Sequence, residues 1–93
     1  MVYHYKVIKK NTLDNNNGIT YERNMADPAY CEWIFKDGQY IGEIYGEVLN
    51  GFELRKVKEI QLAEGAAAVD LETIAYFETV CDSKSFVNQA GGL

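Results

Sequence analysis

The chain has 93 residues, of which 47% are hydrophobic and 25% charged, a composition that excludes wholesale disorder and leaves room for one core. Its net charge of −5 is unevenly spread, because residues 1–41 hold five acids and five bases whereas residues 42–93 hold nine acids and four bases. An acidic surface repels phosphate backbones, so direct nucleic-acid binding is disfavoured. We expect a single domain over residues 1–93.

No basic stretch followed by an apolar run opens the chain, and no apolar run approaches the ~20 residues needed to span a bilayer. We therefore expect a cytoplasmic protein without membrane association, in which Cys31 and Cys81 are reduced thiols. A disulfide between these two cysteines is the alternative.

The first third of the chain predicts two strands joined by a turn. Residues 2–8 alternate, with Tyr3, Tyr5 and Val7 on one side, which is typical of a strand. A cluster of asparagines before Gly18 predicts a turn. Residues 19–23 then fit a short second strand.

Two interpretations remain for residues 27–38. Asp27 before Pro28 is a good helix start, whereas Asp37-Gly38 between two apolar runs is typical of a tight hairpin. We favour the hairpin. A second hairpin is predicted at Asn50-Gly51, a pair that suits the two-residue turn between antiparallel strands.

The last third is divided between helix and strand. The three alanines of residues 66–68 favour a helix over residues 66–81, while Val69, Leu71, Thr73, Ala75 and Phe77 alternate as in a strand. We predict the helix, and a frayed tail over residues 89–93. The fold class is then α+β, a small antiparallel sheet of four to five strands (hairpin or meander) with one C-terminal helix; an all-β fold is the alternative.

Side chains typical of catalysis are scarce. His4 is the only histidine and fits an ordinary strand position, and the acidic neighbours Glu32 and Asp82 disfavour thiolates at Cys31 and Cys81, which we expect to be buried structural thiols. Gly42 and Gly46 lack the lysine of a phosphate loop. We expect no enzyme activity, no cofactor and no metal.

The seven tyrosines are the most unusual feature of the composition. Tyr40 and Tyr45 have odd spacing, so a regular strand would place them on opposite faces unless a bulge at Gly42 resets the alternation. Glu43 and Glu47 have even spacing and would share a face about 13 Å apart, which is too far for a hydrolytic pair.

These features predict a non-catalytic binding protein, an acidic inhibitor or adaptor that covers a basic surface of a protein partner. Aromatic side chains would supply affinity and opposite charge would speed encounter. Phage-encoded inhibitors of host defence nucleases (anti-CRISPR-like proteins) share this profile as a class, an analogy that rests on no motif. The predicted partner-binding residues are Tyr40, Glu43, Tyr45, Glu47, Asp70, Glu72 and Tyr76.

The alternative is a self-associating structural or accessory subunit, such as a homodimer. Two copies would pair through an exposed sheet edge, or through Val69, Tyr76 and Val80 if that segment is helical.

Overall fold

Five antiparallel strands in chain order form one sheet, and a single helix follows them. The computed structural model describes residues 18–47, 49–63 and 66–93. The elements are β1 (Ile19–Arg23), β2 (Tyr30–Lys36), β3 (Gln39–Glu47), β4 (Gly51–Ala63), β5 (Ala66–Phe77) and α1 (Val80–Ala90). The predicted α+β fold, an antiparallel meander with a C-terminal helix, is confirmed. The strand predicted over residues 2–8 and most of the turn before Gly18 lie outside the described residues.

Both predicted hairpins are present. Asp37 and Gly38 join β2 to β3 with φ values of 52° and 84°, the left-handed pair that a tight hairpin turn requires. The second hairpin differs in length, because β3 ends at Glu47 and β4 begins at Gly51, with the Asn50 amide donating to the Glu47 carbonyl. Among the described residues of this connection, Gly51 alone is left-handed, with φ of 85°, as in longer loops that end on a glycine.

A bulge in β3 places Tyr40 and Tyr45 on the same face of the sheet. Gly42 pairs with Ile34 and Tyr40 pairs with Phe35, so Ile41 is the extra residue. The alternation is reset one residue before Gly42, the position at which the sequence offered a bulge as an alternative.

The sheet carries apolar clusters on both faces. The larger one lies between the sheet and α1, where Ile19, Ile34, Ile44, Leu54 and Val87 are fully buried. On the opposite face, which we call the second face, the buried rings of Phe35 and Tyr40 are packed by side chains of β2, β4 and β5, namely Trp33, Val57, Val69 and Leu71. Burial of both faces explains why the apolar residues of β2 run together.

Helix α1 begins and ends at clear capping residues. The Thr79 hydroxyl accepts a hydrogen bond from the Asp82 amide at 3.0 Å, and Asp82 places a negative charge in the first turn. Gly91 adopts φ of 77° and donates its N–H to the last turn. Lys84 pairs with the buried carboxylate of Glu32 at 3.0 Å, which ties the helix to β2.

The helix predicted over residues 66–81 is wrong, since residues 66–77 form β5 and the helix starts at Val80. Cross-strand pairing with β4 along almost the whole of β5 overrides the helix propensity of the alanines. The predicted frayed tail is also wrong, because Gln89 and Ala90 are helical and Leu93 packs against the main core.

Within the described part of the chain, no helix is long and apolar enough to cross a membrane. The helical face of Val69, Tyr76 and Val80, proposed for self-association, does not exist, because Val69 and Tyr76 belong to a strand.

Candidate functional site

The structure divides the seven predicted partner-binding residues into three groups. Tyr40 and Glu43 are buried, with 2% and 6% of their surface exposed. Tyr45, Glu47 and Tyr76 line a common groove at one end of the sheet. Asp70 and Glu72 are exposed farther along β5. Tyr40 and Glu43 are buried in the second face and expose little surface to a partner, so their assignment as partner-binding residues stays a prediction without support from the structure.

Glu43 is the centre of a buried polar network on the second face. Its carboxylate pairs with the Arg55 guanidinium at 3.0 Å and accepts hydrogen bonds from the Tyr40 hydroxyl at 3.4 Å and the Cys31 thiol at 3.6 Å. Burial raises the pKa of Glu43, and the positive charge of Arg55 opposes that shift. These partners satisfy a charge that would otherwise be costly to bury.

Arg55 extends the network towards the end of the sheet. Its Nε atom donates to Glu53 at 3.2 Å, and its guanidinium lies 4.2 Å from the centre of the Tyr45 ring. The Thr73 hydroxyl also donates to Glu53, at 2.7 Å. The hydrogen bonds from Arg55 and Thr73 hold the pKa of Glu53 below its usual value. Arg55 thus orders one wall of the groove.

The two cysteines lie in different environments, and both thiols are free. Cys31 is buried, and desolvation, together with the nearby Glu43 carboxylate, raises its pKa to about 12. A thiol with this pKa is a poor nucleophile at neutral pH. The prediction of a buried structural thiol is confirmed for Cys31 and wrong for Cys81, which is exposed on the first turn of α1.

The groove follows from the register of three neighbouring strands. Tyr45 of β3 stands opposite Glu53 of β4, and Glu53 stands opposite Tyr76 of β5, so the three side chains form one row across the sheet. We call the cleft around this row the hairpin-end groove. It has a volume of about 240 Å³, and Ala29, Gly46, Glu47 and Asn50 are among its other lining residues.

A wider and shallower cleft adjoins the hairpin-end groove. It has a volume of about 540 Å³, is lined by Pro28 and Tyr30, and shares Ala29, Gly46 and Glu47 with the groove. Gly46 is required here, because a Cβ atom at this position would overlap the carbonyl oxygen of Gly51. The two clefts are neighbours at the end of the sheet, because they share three lining residues.

Carboxylates dominate the charge around the hairpin-end groove. Glu47 and Glu53 line it, and Asp27 accepts a long hydrogen bond of 3.5 Å from the Tyr45 hydroxyl. The negative charge of Asp27 raises the pKa of Tyr45. Arg55 pairs with Glu43 and Glu53. Its positive charge therefore does not compensate the negative charges of Glu47 and Asp27.

The described residues contain no group of three histidine, cysteine or acidic side chains placed to hold a metal ion. His4 lies outside these residues, so the absence of a metal or cofactor stays a prediction.

The sequence interpretation did not identify Glu53 and Arg55. Their even spacing puts them on one face of a strand, and the Asn50-Gly51 hairpin places that strand beside β3. The predicted two-residue turn at Asn50-Gly51 would have paired Arg55 with Gly46. Only the longer connection of the structure, in which Glu47 pairs with Gly51, brings Arg55 opposite Glu43. Ala29, by contrast, gives no signal, because it enters the groove only through tertiary packing.

Comparison of the chain with protein-family models, with curated proteins and with solved structures finds no match in any of the three. Function is therefore argued from the geometry of the groove.

Proposed function

We propose that this chain is a non-catalytic binding protein that covers a basic surface of a protein partner with its hairpin-end groove. The observation that carries the proposal is the row of Tyr45, Glu53 and Tyr76, which brings aromatic and acidic side chains of three strands to one exposed concave surface. Tyrosine gives large contact area with few rotamers to freeze, and carboxylates attract a basic partner during encounter.

The exposed acids on the outer part of β5 are weaker candidates for direct contact. Glu72 stands opposite Lys56 across the β4–β5 pair, and Lys58 lies next to Glu59, the cross-strand partner of Asp70. These lysines partly neutralise the local field. Asp70 and Glu72 therefore add to long-range attraction, while Glu47 and Tyr76 make the contacts.

The partner in this proposal is a protein whose basic surface normally binds nucleic acid, and the chain acts as its inhibitor or adaptor without binding nucleic acid itself. A small acidic protein in such a cleft competes with the phosphate backbone for the same cations. Inhibition of a nuclease, as by phage-encoded inhibitors, is the most specific form of the proposal. The proposal includes a cytoplasmic location, where the two thiols stay reduced.

The proposal is tested by affinity capture of the tagged chain from its native cell lysate at low and at high salt. We expect one basic protein that is bound at low salt, lost at high salt, and lost when Glu47→Lys replaces the wild-type chain. Asp70→Lys is the matched control, because it makes the same charge change outside the groove, and it should retain the partner.

Retention of the partner by Glu47→Lys at low salt would contradict a role for the groove. Recovery of the chain itself as the sole captured species would contradict the proposal and favour the self-associating subunit.

A further inference from the structure

We propose that the hairpin-end groove is a socket for one arginine side chain of the partner, whose guanidinium stacks on Tyr76 and pairs with Glu47. The inference rests on the proposed function and names the chemical group that the groove recognises.

Tyr76 supplies the stacking surface. It is an aromatic side chain of β5 with 72% of its surface exposed, and it lines the groove. An exposed tyrosine ring attracts a cation placed over its face, and a planar guanidinium also gains contact area by stacking.

Glu47 supplies the negative charge. It lies at the end of β3, is exposed, and accepts a hydrogen bond of 3.2 Å from the Asn50 side-chain amide to Oε1. That bond orients the carboxylate from one side of the turn. An arginine paired with an oriented carboxylate makes charge-assisted hydrogen bonds that a neutral side chain cannot make.

The same fold already binds arginine in this way within its own chain. Arg55 lies over the Tyr45 ring while Glu43 and Glu53 accept its hydrogen bonds, and the guanidinium of Arg23 lies 3.9 Å from the centre of the Tyr30 ring. The groove also combines a tyrosine and a carboxylate, since Tyr76 of β5 and Glu47 of β3 both line it. Arginine suits it better than lysine, because an ammonium group cannot stack on a ring while it donates two coplanar hydrogen bonds to a carboxylate.

The volume of the groove and its negative charge further restrict which group can occupy it. The hairpin-end groove, at about 240 Å³, is small beside the roughly 300–1,000 Å³ typical of small-molecule sites, and we assign it to a single side chain of the partner. The adjoining cleft beside Pro28 can take the neighbouring residues of the same segment. A second copy of this chain is a poor occupant, since each copy carries a net charge of −5 and the same acidic groove.

The test is an NMR titration of the full chain with two blocked amino acids, N-acetyl-arginine methylamide and N-acetyl-citrulline methylamide. The two probes have nearly the same shape, but only the first is charged. We expect saturable shifts at Tyr45, Glu47 and Tyr76 with a dissociation constant on the order of 1 mM for arginine, and roughly tenfold weaker binding for citrulline.

Two variants of the groove and one control variant test the site, and a separate measurement shows whether each variant is folded. Glu47→Gln and Tyr76→Leu should each weaken arginine binding severalfold, whereas Asp70→Asn should not change it; the dispersion of the amide resonances reports whether each variant is folded. Equal binding of the two probes, shifts centred away from the groove, or unchanged binding by Glu47→Gln would each overturn the inference.

The outcomes separate the inference from the proposed function. If the partner is captured at low salt and lost with Glu47→Lys while arginine does not bind, the proposed function stands and the arginine socket is wrong. If arginine binds in the groove and no partner is captured, the socket stands and the proposed function is contradicted.

Discussion

At the scale of single residues, Glu43 and Glu53 show how one guanidinium serves two carboxylates in different surroundings. Arg55 contacts both, but Glu43 is buried whereas Glu53 is only partly so. Burial raises the pKa of Glu43 above its ordinary 4.5, and hydrogen bonds lower the pKa of Glu53 below the same value. The two residues therefore make opposite contributions to the pH dependence of stability.

The signs follow from proton binding in the two states. The folded chain binds the Glu43 proton more tightly than the unfolded chain, so the stability linked to this group is present below pH 4.5 and is lost as pH rises through the raised pKa. For Glu53 the stability is present above 4.5 and is lost as pH falls through the lowered pKa.

We predict opposite pH trends for Glu43→Gln and Glu53→Gln. From about pH 4 to about pH 7, the free energy of unfolding of the wild type should fall relative to Glu43→Gln and rise relative to Glu53→Gln. Urea unfolding of the three proteins over this range measures both differences. Two differences that change in the same direction would show that the network around Arg55 is not as described.

At the scale of secondary-structure elements, the caps define where α1 lies. Thr79→Ala removes the acceptor for the Asp82 amide and should lower the free energy of unfolding by about 1 kcal/mol. Ser85→Ala, at an exposed position within the same helix, is the matched control and should change it by only a few tenths of a kcal/mol. Urea unfolding provides the comparison, and equal losses for the two variants would place the start of the helix elsewhere.

Alanine at Gly42 and alanine at Gly38 should both destabilise the fold, the first through steric overlap and the second through backbone strain. A Cβ atom at Gly42 would overlap the Arg55 carbonyl oxygen, whereas at Gly38 it would meet nothing within 4 Å but would sit at a φ of 84°. We predict that Gly42→Ala costs about 3 kcal/mol and Gly38→Ala about 1 kcal/mol in thermal unfolding. A larger cost at Gly38 would contradict the close approach of β3 and β4 at Gly42.

Local turn chemistry was the part of this fold that the sequence predicted best. Asp37, Gly38 and Gly51 adopt left-handed backbone, which aspartate, asparagine and glycine tolerate whatever packs around them. β5 was assigned wrongly because alanine propensity is weak beside cross-strand pairing with a residue far along the chain. The helix signal of Thr79, Asp82 and Gly91 was present and was overlooked.

The candidate site was also only partly predictable, because it depends on pairing between residues that are far apart in the chain. Tyr45, Glu47 and Tyr76 were selected by residue type, but their meeting in one groove depends on the register of β3, β4 and β5. The burial of Tyr40 and Glu43 depends in addition on the bulge at Ile41, which no local pattern places at a specific residue.

At the scale of the whole molecule, the fold brings acidic side chains from three parts of the chain together at one end of the sheet. Asp27 of the β1–β2 connection, Glu47 of β3 and Glu53 of β4 come together at the hairpin-end groove, whereas the acids farther along β5 lie beside two lysines of β4, Lys56 and Lys58. In the function that we propose, the total charge of −5 attracts a basic partner and the groove determines where it docks.

The most direct test of this account is the association rate constant with the captured partner at several ionic strengths, measured for the wild type, Glu47→Lys and Asp70→Lys. Both variants change the net charge by the same amount, so long-range attraction should fall equally and any excess effect reports docking. We predict that both variants associate more slowly, and that only Glu47→Lys also dissociates at least tenfold faster. Equal dissociation rates for the two variants would contradict the hairpin-end groove as the binding site.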